Sequence, residues 1–285
     1  MLAVASALAA DSGLEQLRSL SEQQFEQIQR RANHGDRVAA AMLAVAYEKG
    51  VHVAKDESEA AKWYRKLAET GSIEAQNRLG VLYEQGLGVQ QSYTEAAEWF
   101  RKAATMGSAA AQSNLASLYL NGLGMPRDPA QAAKWYEVAA RQGDRTAQNN
   151  LGYLYANGLG VTHDDASAAH WYREAALQGE GLAALNLGLL YEKGAENGPD
   201  EQEALLWFQR AAAAGVVRGF SNSARLYMFG KQTPHDYARA YELLSQAVAA
   251  GDEVVRPWLQ QCRDQLAKSK APATIQSASA TTSKP

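Results

Sequence analysis

A glycine-bearing phrase recurs along the chain at one fixed interval, and that interval limits the possible folds more than any other feature. AQNRLGVLYEQGLGV begins at Ala75, AQSNLASLYLNGLGM at Ala111 and AQNNLGYLYANGLGV at Ala147, 36 residues apart each time. Glycines keep this step at Gly35, Gly71, Gly107, Gly143, Gly179, Gly215 and Gly251, and a second series runs Gly50, Gly86, Gly122, Gly158, Gly194 and Gly230. Tyrosines follow at Tyr47, Tyr83, Tyr119, Tyr155, Tyr191 and Tyr227; tryptophans at Trp63, Trp99, Trp135, Trp171 and Trp207, with Leu243 in the sixth place. No insertion interrupts six units. Such a period marks a repeat array, in which each unit buries its apolar face only by stacking on its neighbours. The 285 residues suffice for one or two ordinary domains, but the repeat argues for a single elongated array.

The unit from Ser72 to Gly107 shows the local mechanics. Ala75, Leu79, Leu82 and Tyr83 mark one face of a first helix, A, at helical spacing. Gly86 ends it, because glycine adopts the left-handed conformation that closes a helix. The places Asp56, Ser92, Asp128, Asp164, Asp200 and Asp236 all carry good N-cap residues for a second helix, B. Glu59, Glu95, Gln131 and Glu203 stand three residues on, the spacing of a capping box. Pro129 occupies a first helical position, where its missing N–H does no harm. Helix B then presents Ala96, Trp99, Phe100 and Ala103 as its apolar face. The tryptophans stand on this face in register and are read as core residues. Small residues recur at Ala60, Ala96, Ala132, Ala168, Ala204 and Ala240 in helix B and at Ala44, Gly80, Ala116, Gly152, Gly188 and Ala224 in helix A, where they let helices approach closely.

The pattern A-x3-L-G-x-L-Y-x2-G-x-G-V followed by D-x3-A-x2-W-Y-x2-A-A-x2-G resembles the Sel-1-like repeat, a relative of the tetratricopeptide repeat. Ala147, Leu151, Gly152, Leu154, Tyr155, Gly158, Gly160, Val161, Asp164, Ala168, Trp171, Tyr172, Ala175, Ala176 and Gly179 carry the match in one unit. The resemblance covers about Asp36 to Asp252. Departures are His52, Glu196 and Gln232 in place of the second turn glycine, and Leu243 in place of Trp. It implies an all-α, right-handed α-solenoid of two-helix repeats, a superhelix of the tetratricopeptide kind, acting as an adaptor or assembly scaffold, often in bacterial envelopes, and without catalysis. The expected organisation is an apolar segment 1–13, a capping half-repeat 14–35, six repeats over 36–251, a capping helix 252–268 and a disordered tail 269–285.

The glycine turns invite a phosphate-binding reading, which the context excludes. No third glycine follows at the dinucleotide spacing, no Lys-Ser/Thr pair follows, and no strand precedes. The five histidines, His34, His52, His163, His170 and His235, form no H-x3-H pair and join no cysteine cluster. His163 lies beside Asp164, already assigned as a helix cap. The single cysteine, Cys262, lies near Trp258 and Leu259 and is read as a packing residue, so no internal disulfide is possible. No cofactor or metal is expected. The net charge of −3 and a pI near 6 give no basic footprint for nucleic acid, and no apolar run is long enough to span a membrane.

Function in a repeat array resides where the scaffold leaves positions free, often on its concave face. On helix A one free series reads Met42, Arg78, Asn114, Asn150, Asn186, Asn222, and three residues on lie Val45, Val81, Ser117, Tyr153, Leu189 and Arg225. The two series share one stripe. Two readings of the Asn row stand: amides that hydrogen-bond an extended peptide, or amides that bond carbonyls within the stack. The non-repeating Tyr153, Leu189, Arg225 and Phe229 are the stronger binding candidates, because aromatic and arginine side chains dominate interface hot spots. The expected partner is a protein or peptide. The alternative is an envelope factor in polysaccharide or peptidoglycan assembly, which would need exposed groove aromatics such as Tyr153. An enzyme would need a pocket of perturbed ionisable groups that the sequence does not display.

The termini and the oligomeric state stay open at this stage. MLAVASALAADSG is apolar, and Ala7-Leu8-Ala9 resembles a small-x-small cleavage site, but the basic n-region is missing. It reads either as the back half of a signal peptide or as an Ala-rich helix; export to the periplasm or beyond is preferred over the cytoplasm. The tail from Ser269 is small and polar, too poor in apolar surface to offset its ordering entropy. Val216, Val217 and Phe220 make an apolar entry to the sixth unit, a candidate self-association surface.

Overall fold

A computed structural model of the chain describes residues 12–194 and 198–270, and among them all regular structure is helical. The expectations for residues 1–11, for Glu196 and for 271–285 concern positions outside the described residues. The contacts divide the chain into two compact units, Met1–Asp164 and Asp165–Pro285. The first holds α1 (Ser12–Arg18), α2 (Glu22–Asn33), α3 (Arg37–Lys49), α4 (Glu57–Glu69), α5 (Ile73–Gln85), α6 (Tyr93–Thr105), α7 (Ala109–Asn121), α8 (Pro129–Arg141) and α9 (Arg145–Asn157). The second holds α10 (Asp165–Leu177), α11 (Gly181–Lys193), α12 (Glu201–Ala213), α13 (Val217–Phe229), α14 (Tyr237–Ala249), a 3-10 turn (Glu253–Val255) and α15 (Arg256–Lys270). From α2 to α9, and from α10 to α15, each helix packs on the next in sequence. Each unit is thus an α-solenoid of two-helix repeats. The odd-numbered helices from α3 to α13 are the A helices of the repeat; their even-numbered successors are the B helices.

Every helix from α3 to α14 has 13 residues, because the stop and start signals recur in register. Side chains of Asp56, Ser92, Asp128, Asp200 and Asp236 accept hydrogen bonds from first-turn backbone N–H groups, each stabilising by about 1 kcal/mol. The N–H of each cap position, Asp164 included, donates back to the carbonyl of the repeat tyrosine, as from Asp128 to Tyr119 at 2.8 Å. That bond folds the A–B turn onto the end of helix A. The expected capping box closes at none of the four places, because the N–H of each cap goes to the tyrosine carbonyl instead; Glu59 pairs with Lys62, and Glu203 accepts from the Trp207 indole. The box does close at Ser21, whose side chain accepts from the Gln24 N–H while the Gln24 amide accepts in return.

Two glycines show why the turn needs them. Gly86 is left-handed, with φ 71°, as a helix stop requires. Gly88 has φ 68°, and a Cβ there would lie 2.0 Å from the carbonyl oxygen of Glu57. Each second turn glycine of the first unit thus packs on the first turn of the preceding helix B, with Gly124 against Tyr93 and Gly160 against Pro129. The backbone that a phosphate would have to reach is covered by protein. In the first repeat His52 takes this place at φ 61°, stacked on Phe25 at 4.9 Å, with Nε2 donating to the Leu17 carbonyl at 2.8 Å. The ring tethers α1 and α2 to the array.

Some features differ from the expectation. Gly230 is extended, not left-handed, with φ −63° and ψ 145°; it is needed for space, since a Cβ would meet Thr233 Oγ1 at 2.0 Å. The deepest helix B aromatic is not the tryptophan but the residue after it. Tyr64, Phe100, Tyr136, Tyr172 and Phe208 are all buried, whereas Trp99, Trp135 and Trp171 are only half-buried. Burying such a ring contributes about 2–3 kcal/mol. Ser269 and Lys270, placed in the tail by composition, continue α15, and the Ser269 hydroxyl donates to the Leu266 carbonyl. Val217 and Phe220 pack against the core of the second unit.

Candidate helix A interaction stripes

On each A helix three positions, at i, i+3 and i+7, share one stripe. In the first unit these are Met42, Val45 and Lys49 on α3; Arg78, Val81 and Gln85 on α5; Asn114, Ser117 and Asn121 on α7; and Asn150, Tyr153 and Asn157 on α9. Asn114 donates to Asn77 Oδ1 at 3.1 Å, and Asn150 donates to the Tyr136 hydroxyl at 3.2 Å. Both amides are half-buried and tied to the stack through these bonds. Tyr153 differs: it is 45% exposed, beside Asn157, whose side chain donates to the Tyr153 carbonyl at 2.8 Å.

In the second unit the stripe runs over Asn186, Leu189 and Lys193 on α11 and Asn222, Arg225 and Phe229 on α13. Asn186 and Leu189 are half-buried. Arg225 Nη2 donates to Glu192 Oε2 at 2.6 Å, so its charge is already paired. Phe229 is 46% exposed and stands edge-on to Trp258 at 6.1 Å. Asn222 Nδ2 is buried and lacks a hydrogen-bond partner among the described residues. The reason lies in helix B. Tyr136 offers Asn150 a hydroxyl, but the residue in the same register below Asn222 is Phe208, which has none.

Residue-by-residue reading of the sequence missed the acidic series at Glu48, Glu84 and Glu192. Its trace was visible: Arg78 and Arg225 break the neutral rows on the following A helices. The Glu48 carboxylate is 9% exposed and accepts from Tyr64 Oη at 2.6 Å and from Arg78 Nε at 2.9 Å, with Lys49 Nζ at 2.6 Å. Burial alone would raise its pKa; the hydrogen bonds from Arg78, Lys49 and Tyr64 outweigh that and hold it below the ordinary value. Tyr64, buried beside this carboxylate, is pushed well above the usual phenol. Burial raises Tyr136 to about 12, against opposing hydrogen bonds from Ser117 and Asn150. A cavity of about 340 Å3 opens beside this cluster, lined by Glu48, Lys55, Glu57 and Arg78.

The tryptophans offer no free aromatic platform at three places. Lys66 lies over Trp63 at 4.0 Å, Lys102 over Trp99 at 3.9 Å and Arg210 over Trp207 at 4.7 Å. Among the described residues no three of His, Cys, Asp and Glu are grouped to hold a metal ion. No helix among them is long and apolar enough to cross a membrane. The chemistry the stripes offer is amide and carboxylate hydrogen bonding around exposed aromatic rings.

Comparison with known proteins agrees with this architecture. A family model described as "Sel1 repeat" matches residues 37–72, 73–108, 109–144, 146–180, 181–216 and 222–252. A crystal structure of a protective antigen present in uropathogenic Escherichia coli strains, displaying an SLR fold, is 31% identical at a TM-score of 0.80; the match covers 87% of this chain and 53% of that one. The chain therefore spans about half of that protein. A Sel1 repeat protein from Oxalobacter formigenes is 30% identical at a TM-score of 0.70, over 79% of this chain and 90% of that one. No curated protein matches the chain.

Proposed function

Because the chain belongs to the Sel1-repeat family, we propose that it is a non-catalytic scaffold that holds a partner protein or peptide on its helix A stripes. Sel1-repeat proteins generally mediate protein–protein interaction, and the solenoid is typically non-catalytic. The observation that carries the choice of face is Tyr153: a large ring, 45% exposed, on a stripe whose flanking amides are tied into the stack. An exposed, rigidly supported aromatic is the kind of group that anchors an interface. Phe229 supplies a comparable ring in the second unit. A photo-crosslinking amino acid at position 153, compared with one at the outward Glu98 of α6, tests the reading in living cells. A specific adduct from position 153 and none from 98 supports it; adducts from 98 alone would move the interface to the outer face.

The location proposed with this function is the periplasm or the cell exterior, on the strength of Ala7-Leu8-Ala9. Fractionation of the source cells, with N-terminal sequencing of the recovered protein, tests it; recovery from the cytoplasm alone contradicts it.

A further inference from the structure

The acidic series on the A helices is neutralised from within at two of its three members. Glu48 is paired by Arg78, 30 positions on, and Glu192 by Arg225, 33 positions on, each from the next A helix. The corresponding residues for Glu84 are Asn114 and Ser117, neither of them a cation. The hydroxyl that Tyr64 supplies to Glu48 is also missing, because the equivalent residue below Glu84 is Phe100. The Gln91 amide donates to the Glu84 backbone carbonyl and leaves the carboxylate alone. Arg78 on the same helix is held by Glu48, and Arg65 by the Tyr83 hydroxyl. Among the described residues the Glu84 side chain has no hydrogen-bond or ionic partner, though it is half-buried. Burial accordingly raises its carboxyl above the ordinary value.

We propose that Glu84 is a recognition site for an arginine or lysine side chain of the bound partner, which takes the place that Arg78 and Arg225 take beside Glu48 and Glu192. The proposal rests on the reading of the stripe as a peptide-binding surface and gives that surface a charge preference. A half-buried carboxylate rewards a cation more than an exposed one, because less water screens the pair. A guanidinium fits best: it bonds a carboxylate through two N–H groups at once and has donors to spare.

The test uses the full chain and short extended peptides of Gly, Ser and Ala with a single central Arg, Glu or Leu, followed by backbone amide NMR. The Arg peptide is expected to shift the Glu84, Asn114 and Ser117 resonances and the Glu peptide to leave them in place. Glu84→Gln, which keeps the shape and removes the charge, is expected to weaken the Arg peptide at least about tenfold. Asn114→Arg supplies the missing guanidinium from within; it is expected to block the peptide and raise the melting temperature, which also shows that the variant folds. Equal shifts with all three peptides, lost in Tyr153→Ala, would overturn the charge preference and leave the binding stripe standing. No shift with any of them would overturn both.

Discussion

The Tyr64 hydroxyl donates to the Glu48 carboxylate at 2.6 Å, joining the buried aromatic of a helix B to a buried carboxylate on the helix A before it. The Tyr136 hydroxyl works in the other direction, accepting from the amide of Asn150 on the helix A that follows it. The identity of one buried ring, Tyr or Phe, thus sets whether a hydroxyl is on hand for the polar groups beside it, as Tyr64 provides for Glu48 and Tyr136 for Asn150.

Tyr64→Phe removes that hydroxyl from a buried carboxylate. Loss of a buried hydrogen bond to a charged group is expected to cost about 2 kcal/mol, read as a lower urea midpoint at unchanged slope. Phe100 and Phe208 show that the ring itself packs without the hydroxyl. A change within experimental error would mean that Arg78 and Lys49 alone satisfy Glu48.

Glu48 also ties stability to pH. Its folded pKa lies below that of an ordinary glutamate, so its contribution is present above the ordinary value and is lost as pH falls through the folded pKa. Glu48→Gln is expected to be less stable than the parent at pH 7, with the two curves converging in acid. Glu84 has the opposite sign, since its folded pKa is raised. Its charge opposes folding at pH 7, so Glu84→Gln is expected to gain stability there and to lose that gain below pH 4.5. Urea titrations across the range check both.

Gly88→Ala and Gly71→Ala separate space from conformation. Both glycines are left-handed, but an added Cβ meets the Glu57 carbonyl at the first and nothing within 4 Å at the second. Gly71→Ala is expected to cost about 1–2 kcal/mol, the left-handed penalty alone, and Gly88→Ala clearly more. Equal costs, measured by thermal unfolding, would show that the close approach of turn to helix relaxes freely.

Asp236→Ala removes the cap of α14, whose side chain accepts from the Ala238 and Arg239 N–H groups. A loss of about 1 kcal/mol is expected, with hydrogen exchange accelerated first in the opening turn of α14. Uniform acceleration along the helix would contradict a local capping role.

Most of the fold was legible because every determinant of a helix end recurs once per period. Asp56, Gly86 and Pro129 each say locally what they do, and six copies remove the ambiguity. Features that depend on what lies across a packing gap were not legible. Gly230 reads as another helix stop, but Thr233 draws its turn into an extended form. Glu59 reads as half of a capping box, but Lys62 competes for it. The Asn row was visible in full, yet the role of an amide turns on its packing neighbours: Tyr136 holds Asn150, Asn77 holds Asn114, and Asn222 stands over Phe208. Tyr153 stood out because it breaks its series, and the fold exposes it. Arg225 stood out for the same reason, but Glu192 occupies it.

The central claim, that the helix A stripe is the partner-binding face, is tested most directly by the affinity of the partner cross-linked from position 153 for Tyr153→Ala, measured by titration calorimetry. The variant is expected to keep its stability within about 0.5 kcal/mol, as at an exposed site. It is expected to bind at least about tenfold more weakly, as when an aromatic anchor is removed. Unchanged affinity in a fully folded Tyr153→Ala protein would contradict the claim.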